Sequence, residues 1–82
     1  MRDKLGDKQR LIHISEAAGS IQDFLLNVSK EQFLNNYMLQ LAVLKLLENI
    51  GEAANRLSKE LREEFNDIDW TIIIRSRNVY VH

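Results

Sequence analysis

The last stretch of the chain, Trp70-Thr71-Ile72-Ile73-Ile74-Arg75-Ser76-Arg77-Asn78-Val79-Tyr80-Val81-His82, sets two arginines, an amide and a histidine on what reads as one helix. The segment places phosphate-binding groups close to a proton-transfer group. Arginine offers a fixed fork of donors for phosphate oxygens, and histidine moves protons near neutral pH. Together they suffice for metal-free cleavage of RNA. The 2′-OH attacks the adjacent phosphorus, an imidazole shuttles protons, and a guanidinium steadies the developing charge. Arg77-Asn78 followed by His82 makes the pattern R-N-x-x-x-H. Helical positions five apart lie roughly 140° around the axis, so Arg77 and His82 do not share a face. Arg75, Asn78 and His82, at i, i+3 and i+7, do share one, with Arg77 on the flank. Two such helices meeting across a dimer would enclose one cleft from both sides. Arginine and histidine in a last helical turn also complement the negative end of the helix dipole. The α-carboxylate on His82 offers Arg75 or Arg77 an ion-pair partner as well. Spacing alone therefore leaves a structural role open.

The elements that must position this segment are short and helical. The chain has 82 residues, no cysteine, no proline and three glycines, and 45% of it is hydrophobic. These counts predict one all-α domain over residues 1–82. A chain this short buries about 60–65% of its unfolded surface, which favours association with a second copy or a partner. The net charge of −1 excludes a generally basic nucleic-acid module, so RNA contact must come from a local patch. Without cysteine there is neither a disulfide framework nor a thiolate metal site, in keeping with a reducing cytoplasm. Met1–Arg10 is charged and no apolar core follows it, unlike a leader peptide. The apolar run within Leu41–Leu47 is broken by Lys45 and too short to span a bilayer. No cofactor and no metal are expected.

Met1–Lys8 is polar and reads as frayed or partly helical. From about Asp7, Leu11, Ile14, Ala18, Ile21 and Leu25 form a bundle seam, widened by Phe24 and Leu26 and closed by Asn27-Val28-Ser29. Mid-helix Gly19 marks an expected close helix crossing. His13 lies near the seam with no second ligand at metal spacing and reads as structural. Ser29-Lys30-Glu31-Gln32 is a capping box, and Asn35-Asn36 invites a break before the next helix. That helix, about Tyr37–Leu57, carries the seam Leu39, Val43, Leu46, Ile50, Ala53 and Leu57. A second strip, Leu41, Leu44 and Leu47, runs beside it. A helix apolar on more than half its circumference is buried on two sides, one toward its own bundle and one toward a second subunit.

Between the strips run Lys45, Glu48, Glu52 and Arg56. Glu52 and Arg56 read as a solvated i,i+4 ion pair, or else Glu48 or Glu52 faces the cleft and orients an arginine or the histidine. Ser58 caps a short helix, Lys59–Phe65, with Leu61 and Phe65 as its apolar contacts. Asp69 caps the helix that opens at Trp70. The β-branched run Ile72-Ile73-Ile74 has no partner strand, so helix is preferred. With Val79, Tyr80 and Val81 it supplies that helix's packing surface.

Three stretches in order resemble one family: Leu11–Phe24 (L-I-H-I-S-E-A-A-G-S-I-Q-D-F), Leu46–Leu57 (L-L-E-N-I-G-E-A-A-N-R-L) and Asp67–His82 (D-I-D-W-T-I-I-I-R-S-R-N-V-Y-V-H). The chain resembles the HepT-like, DUF86 branch of the HEPN superfamily, ribonuclease toxins of toxin–antitoxin pairs. The I-G-E-A-A segment and the W-x₆-R-N-x₃-H ending, Trp70 to His82, are the specific parts.

The resemblance implies an antiparallel helical bundle that dimerises with the motifs of two protomers facing one cleft. It also implies a type VII-like toxin with metal-independent endoribonuclease activity on RNA, and a minimal nucleotidyltransferase antitoxin as partner. Carried onto this chain, Arg77 is the motif arginine, Asn78 the polar residue after it and His82 the motif histidine. Arg75 is an auxiliary phosphate-binding group, standing where the family usually has a small residue. Family members continue past the histidine with a tyrosine that the antitoxin can modify with AMP, and then a final helix. This chain stops at His82, and Tyr80 precedes the histidine. It is thus expected to be a fragment, or a short form without the final helix whose uncovered apolar surface favours higher homo-oligomers. The alternative function is a non-catalytic helical module for dimerisation and partner binding.

Overall fold

A computed structural model of the chain describes residues 3–75. Among them the order is α1 (Lys4–Leu25), α2 (Lys30–Leu34), α3 (Tyr37–Asn55), α4 (Lys59–Glu64) and α5 (Trp70–Arg75). No strand occurs among the described residues, so the fold is all-α.

Each helix starts where a short polar side chain replaces the missing backbone acceptor. Asp3 Oδ1 takes the N–H of Gly6 at 2.9 Å, so α1 begins at Lys4, ahead of the expected Asp7. The polar start is helical rather than frayed as far as Lys4. Ser29 and Gln32 form the reciprocal capping box of α2, at 3.0 and 2.8 Å. Asn36 Oδ1 accepts from Leu39 N at 3.0 Å and starts α3. The asparagine pair is therefore a true break, with Asn35 ending α2 and Asn36 opening α3. Ser58 caps α4 through Leu61 N at 3.2 Å, and Asp69 caps α5 through Ile72 N at 3.2 Å. At the end of α1, Asn27 has φ 59, the left-handed conformation that asparagine tolerates after a helix.

The beginning of α1 meets the end of α3, so the two long helices run antiparallel, and α2 and α5 also pack on α3. Gln40 of α3 fastens α2 by donating to the carbonyls of Phe33 and Leu34 at 2.9 and 3.0 Å. The tightest core is small. Ala54, Leu57 and Leu61 are nearly inaccessible, with Ile14, Trp70, Ile73 and Ile74 packed against them.

Several expectations fail on burial. Phe24 and Leu26 do not widen the seam of α1 but stand exposed, as do Leu11, Phe65 and Ile72. Ala17 is the buried apolar residue of α1 where Ala18 was expected, and the deepest residue of α3 is Ala54, outside the expected seam. The second strip of α3, Leu41, Leu44 and Leu47, is half-buried. Gly19 sits at no crossing, since a Cβ built there meets no heavy atom within 4 Å. The physical reason is common to all of these. Apolar periodicity gives the face of a helix, whereas burial depends on where its neighbours stop.

Candidate active site

α5 carries Arg75, the first residue of the expected basic segment, and three contacts fix the start of the helix. Asp69 caps it, the Trp70 N–H donates to the Ile68 carbonyl at 3.0 Å, and the Trp70 indole N–H donates to the Phe65 carbonyl at 3.1 Å. Trp70, Ile73 and Ile74 then seat the helix on Ala54, Leu57 and Leu61. With those side chains turned inward, Ile72 and Arg75 face outward and are exposed. Arg75 is the last described residue of α5. Arg77, Asn78 and His82, with Val79, Tyr80 and Val81, lie outside the described residues.

The two candidate carboxylates have different surroundings. Glu48 is half-buried, and its Oε1 lies 3.7 Å from Lys45 Nζ, an i,i+3 ion pair along α3. Glu52 lies one turn on and lines a groove between α1 and α3, together with Arg10, His13, Asn49 and Arg56. Glu52 thus shares this groove with Asp3 and Glu16 as well as with Arg10 and Arg56. His13 is exposed on the wall of this groove and does not pack into the seam. Arg10 reaches back toward the capping acid Asp3 at 3.6 Å. The grouping of Arg10 and His13 with Glu52 and Arg56 escaped the sequence, because no local pattern reports the register of α1 on α3.

Asp7 also escaped. It is a charged residue near a helix start, yet it is 2% exposed and reaches Ser58, 51 positions away. Among the described residues no group of three or more histidine, cysteine or acidic side chains is gathered tightly enough to hold a metal ion. No helix among them is long and apolar enough to cross a membrane.

The described residues thus define an all-α bundle whose α5, ending at Arg75, packs on the second long helix. The family model described as "Ribonuclease HepT-like" matches residues 14–82, a span that takes in Arg77, Asn78 and His82. "Putative RNase MJ1380" of Methanocaldococcus jannaschii is 33% identical over 75 residues, covering 92% of this chain and 69% of that protein. "Putative RNase MJ1216" of the same organism is 33% identical over 92% of this chain, but the match spans only 62% of that protein. "Probable ribonuclease HepT" of Thermococcus cleftensis is 32% identical over 96% of this chain and 72% of its own length. No solved structure matches. The chain belongs to the HepT-like ribonuclease family.

Proposed function

We propose that the protein is the toxin subunit of a type VII-like toxin–antitoxin system and a metal-independent endoribonuclease. The observation that carries this reading is the family match over residues 14–82, which includes the arginine–histidine pattern. In the reaction, the ribose 2′-oxygen bonds to the adjacent phosphorus and the 5′-oxygen of the next nucleotide leaves. The products are a 2′,3′-cyclic phosphate and a free 5′-OH. One imidazole removes the 2′-OH proton and an imidazolium returns a proton to the leaving oxygen. Arg77 holds the phosphate and stabilises the charge that grows on it, Asn78 positions the reacting groups, and His82 moves the protons. In a homodimer with facing motifs, the two copies of His82 would take the base and acid roles. Arg75 adds an outlying phosphate contact. Glu52, with Glu48 behind it on α3, is the carboxylate available to orient an arginine or the histidine.

The same reading gives RNA as substrate, a minimal nucleotidyltransferase as antitoxin partner and the cytoplasm as location. Residues 1–82 act as one domain within it. The test is cleavage of a labelled structured RNA in EDTA, wild type beside His82→Ala and Arg77→Ala, with the product ends analysed. Cyclic-phosphate ends from wild type, lost in both variants, support the reading. A folded, dimeric wild type as inactive as the variants overturns it and leaves a helical dimerisation and partner-binding module.

A further inference from the structure

Among the described residues Asp7 is the one charged side chain that is buried. Its Oδ1 accepts the backbone N–H of Ser58 at 2.8 Å, and its Oδ2 accepts the Ser58 hydroxyl at 2.6 Å. The Ser58 Oγ in turn accepts the N–H of Leu61 at 3.2 Å. A serine cap needs no buried carboxylate behind it, and removing a carboxylate from water is costly unless its hydrogen bonds are made. What the carboxylate adds is a fixed point. It pins the N-cap of α4 to the first turn of α1, across 51 positions of chain.

That point lies directly under the seat of α5. Leu61, three residues beyond Ser58, forms with Ala54 and Leu57 the floor on which Trp70, Ile73 and Ile74 rest. Phe65, at the other end of α4, supplies the carbonyl that holds the Trp70 indole. A slip of α4 along α1 would therefore move Leu61 and the Phe65 carbonyl together, away from Ala54 on α3. Arg75 closes the described part of that helix, two residues before Arg77 in the sequence.

We propose that Asp7 is a positioning residue. By holding Ser58 it sets the seat of α5, the helix that precedes the arginine–histidine segment in the sequence. The catalytic part of this proposal rests on the ribonuclease reading; the seating part does not.

Trp70 is the sole tryptophan of the sequence, so its fluorescence reports the seat of α5 directly. The experiment compares the full chain as wild type, Asp7→Ala, Asp7→Asn, Ser58→Ala and Ser58→Thr. Val43→Ala serves as the control, a buried α3 position outside the α5 floor. Under native conditions Asp7→Ala and Ser58→Ala are expected to shift Trp70 emission to the red and make it more quenchable by acrylamide. Far-UV helicity should hold. Asp7→Asn, which keeps one acceptor, lies between, and Ser58→Thr restores the wild-type spectrum. In the RNA assay Asp7→Asn lowers kcat about tenfold with KM held, the mark of a displaced reacting group.

An unmoved Trp70 spectrum in folded Asp7→Asn and Ser58→Ala overturns the proposal. So does an equal shift in Val43→Ala, which would make the effect general loosening. An unchanged kcat in an active enzyme overturns the catalytic part. A wild type without ribonuclease activity defeats the functional reading instead, and the fluorescence comparison still decides the role of Asp7.

Discussion

The indole N–H of Trp70, the first residue of α5, donates to the carbonyl of Phe65, the residue that ends α4, at 3.1 Å. The bond closes the turn between the two helices while the Phe65 ring stays outside the core. Trp70→Phe keeps most of the packing on Leu57 and Leu61 and loses only this bond. It is expected to lower stability by about 0.5–1 kcal/mol, the low end for a hydrogen bond at a partly exposed site. Urea unfolding followed by circular dichroism measures it. A loss several times larger would mean that the ring shape, not the bond, holds α5.

Asp7 and Ser58 should be coupled in stability as well as in position. Asp7→Ala strips the acceptors from a partly buried N–H and hydroxyl, a loss of about 1–3 kcal/mol. Ser58→Ala costs about 1 kcal/mol for the cap alone, and the double variant should fall short of the sum. Strict additivity in a double-mutant cycle would contradict the geometry.

Gly19→Ala should stabilise the chain by about 0.4–1 kcal/mol, because a helical glycine costs entropy and the new methyl meets open space. Thermal unfolding at several protein concentrations is the check. Should a second copy pack on this face, the gain would turn to a loss as concentration rises.

The capping box at Ser29 and Gln32 holds a helix of only five residues. Ser29→Ala is expected to cost about 1 kcal/mol. Hydrogen-exchange protection should fall first in Lys30–Leu34, where few tertiary contacts replace the cap. Protection lost equally in α3 would show that Gln40, which donates to Phe33 and Leu34, passes the damage on.

Arg75 and Arg77 are expected to differ in kind. Arg75 is exposed at the end of the described α5, so Arg75→Ala should raise KM severalfold and leave kcat nearly intact. The slope of log affinity against log salt should drop by about 0.7 for one lost contact to single-stranded phosphate. Arg77→Ala should abolish cleavage. Equal loss of kcat in both variants would move Arg75 into the reacting site.

The local grammar of the chain was legible. Ser29, Asn36, Ser58 and Asp69 each announce a helix start, because a cap is an i to i+3 hydrogen bond within one short stretch. The helical state of Ile72–Ile74 followed from the same logic, against its β-branched composition. The cationic segment was equally plain, since R-N-x-x-x-H is a pattern of neighbours, and the family match runs through it.

What the sequence determined by itself was therefore the elements, their caps and the identity of the chemical groups near the end of the chain. Only the tertiary structure decided which of those elements touch. It buried Asp7 under Ser58, left Phe24 and Leu26 outside, gave Gly19 open space, and gathered His13 with Glu52 and Arg56 on one groove. The reason is range. Capping and periodicity act over three or four residues, whereas the register of α1 on α3 is a packing solution reached over some fifty. A carboxylate in a helix reads as solvated until the fold shows a donor facing it.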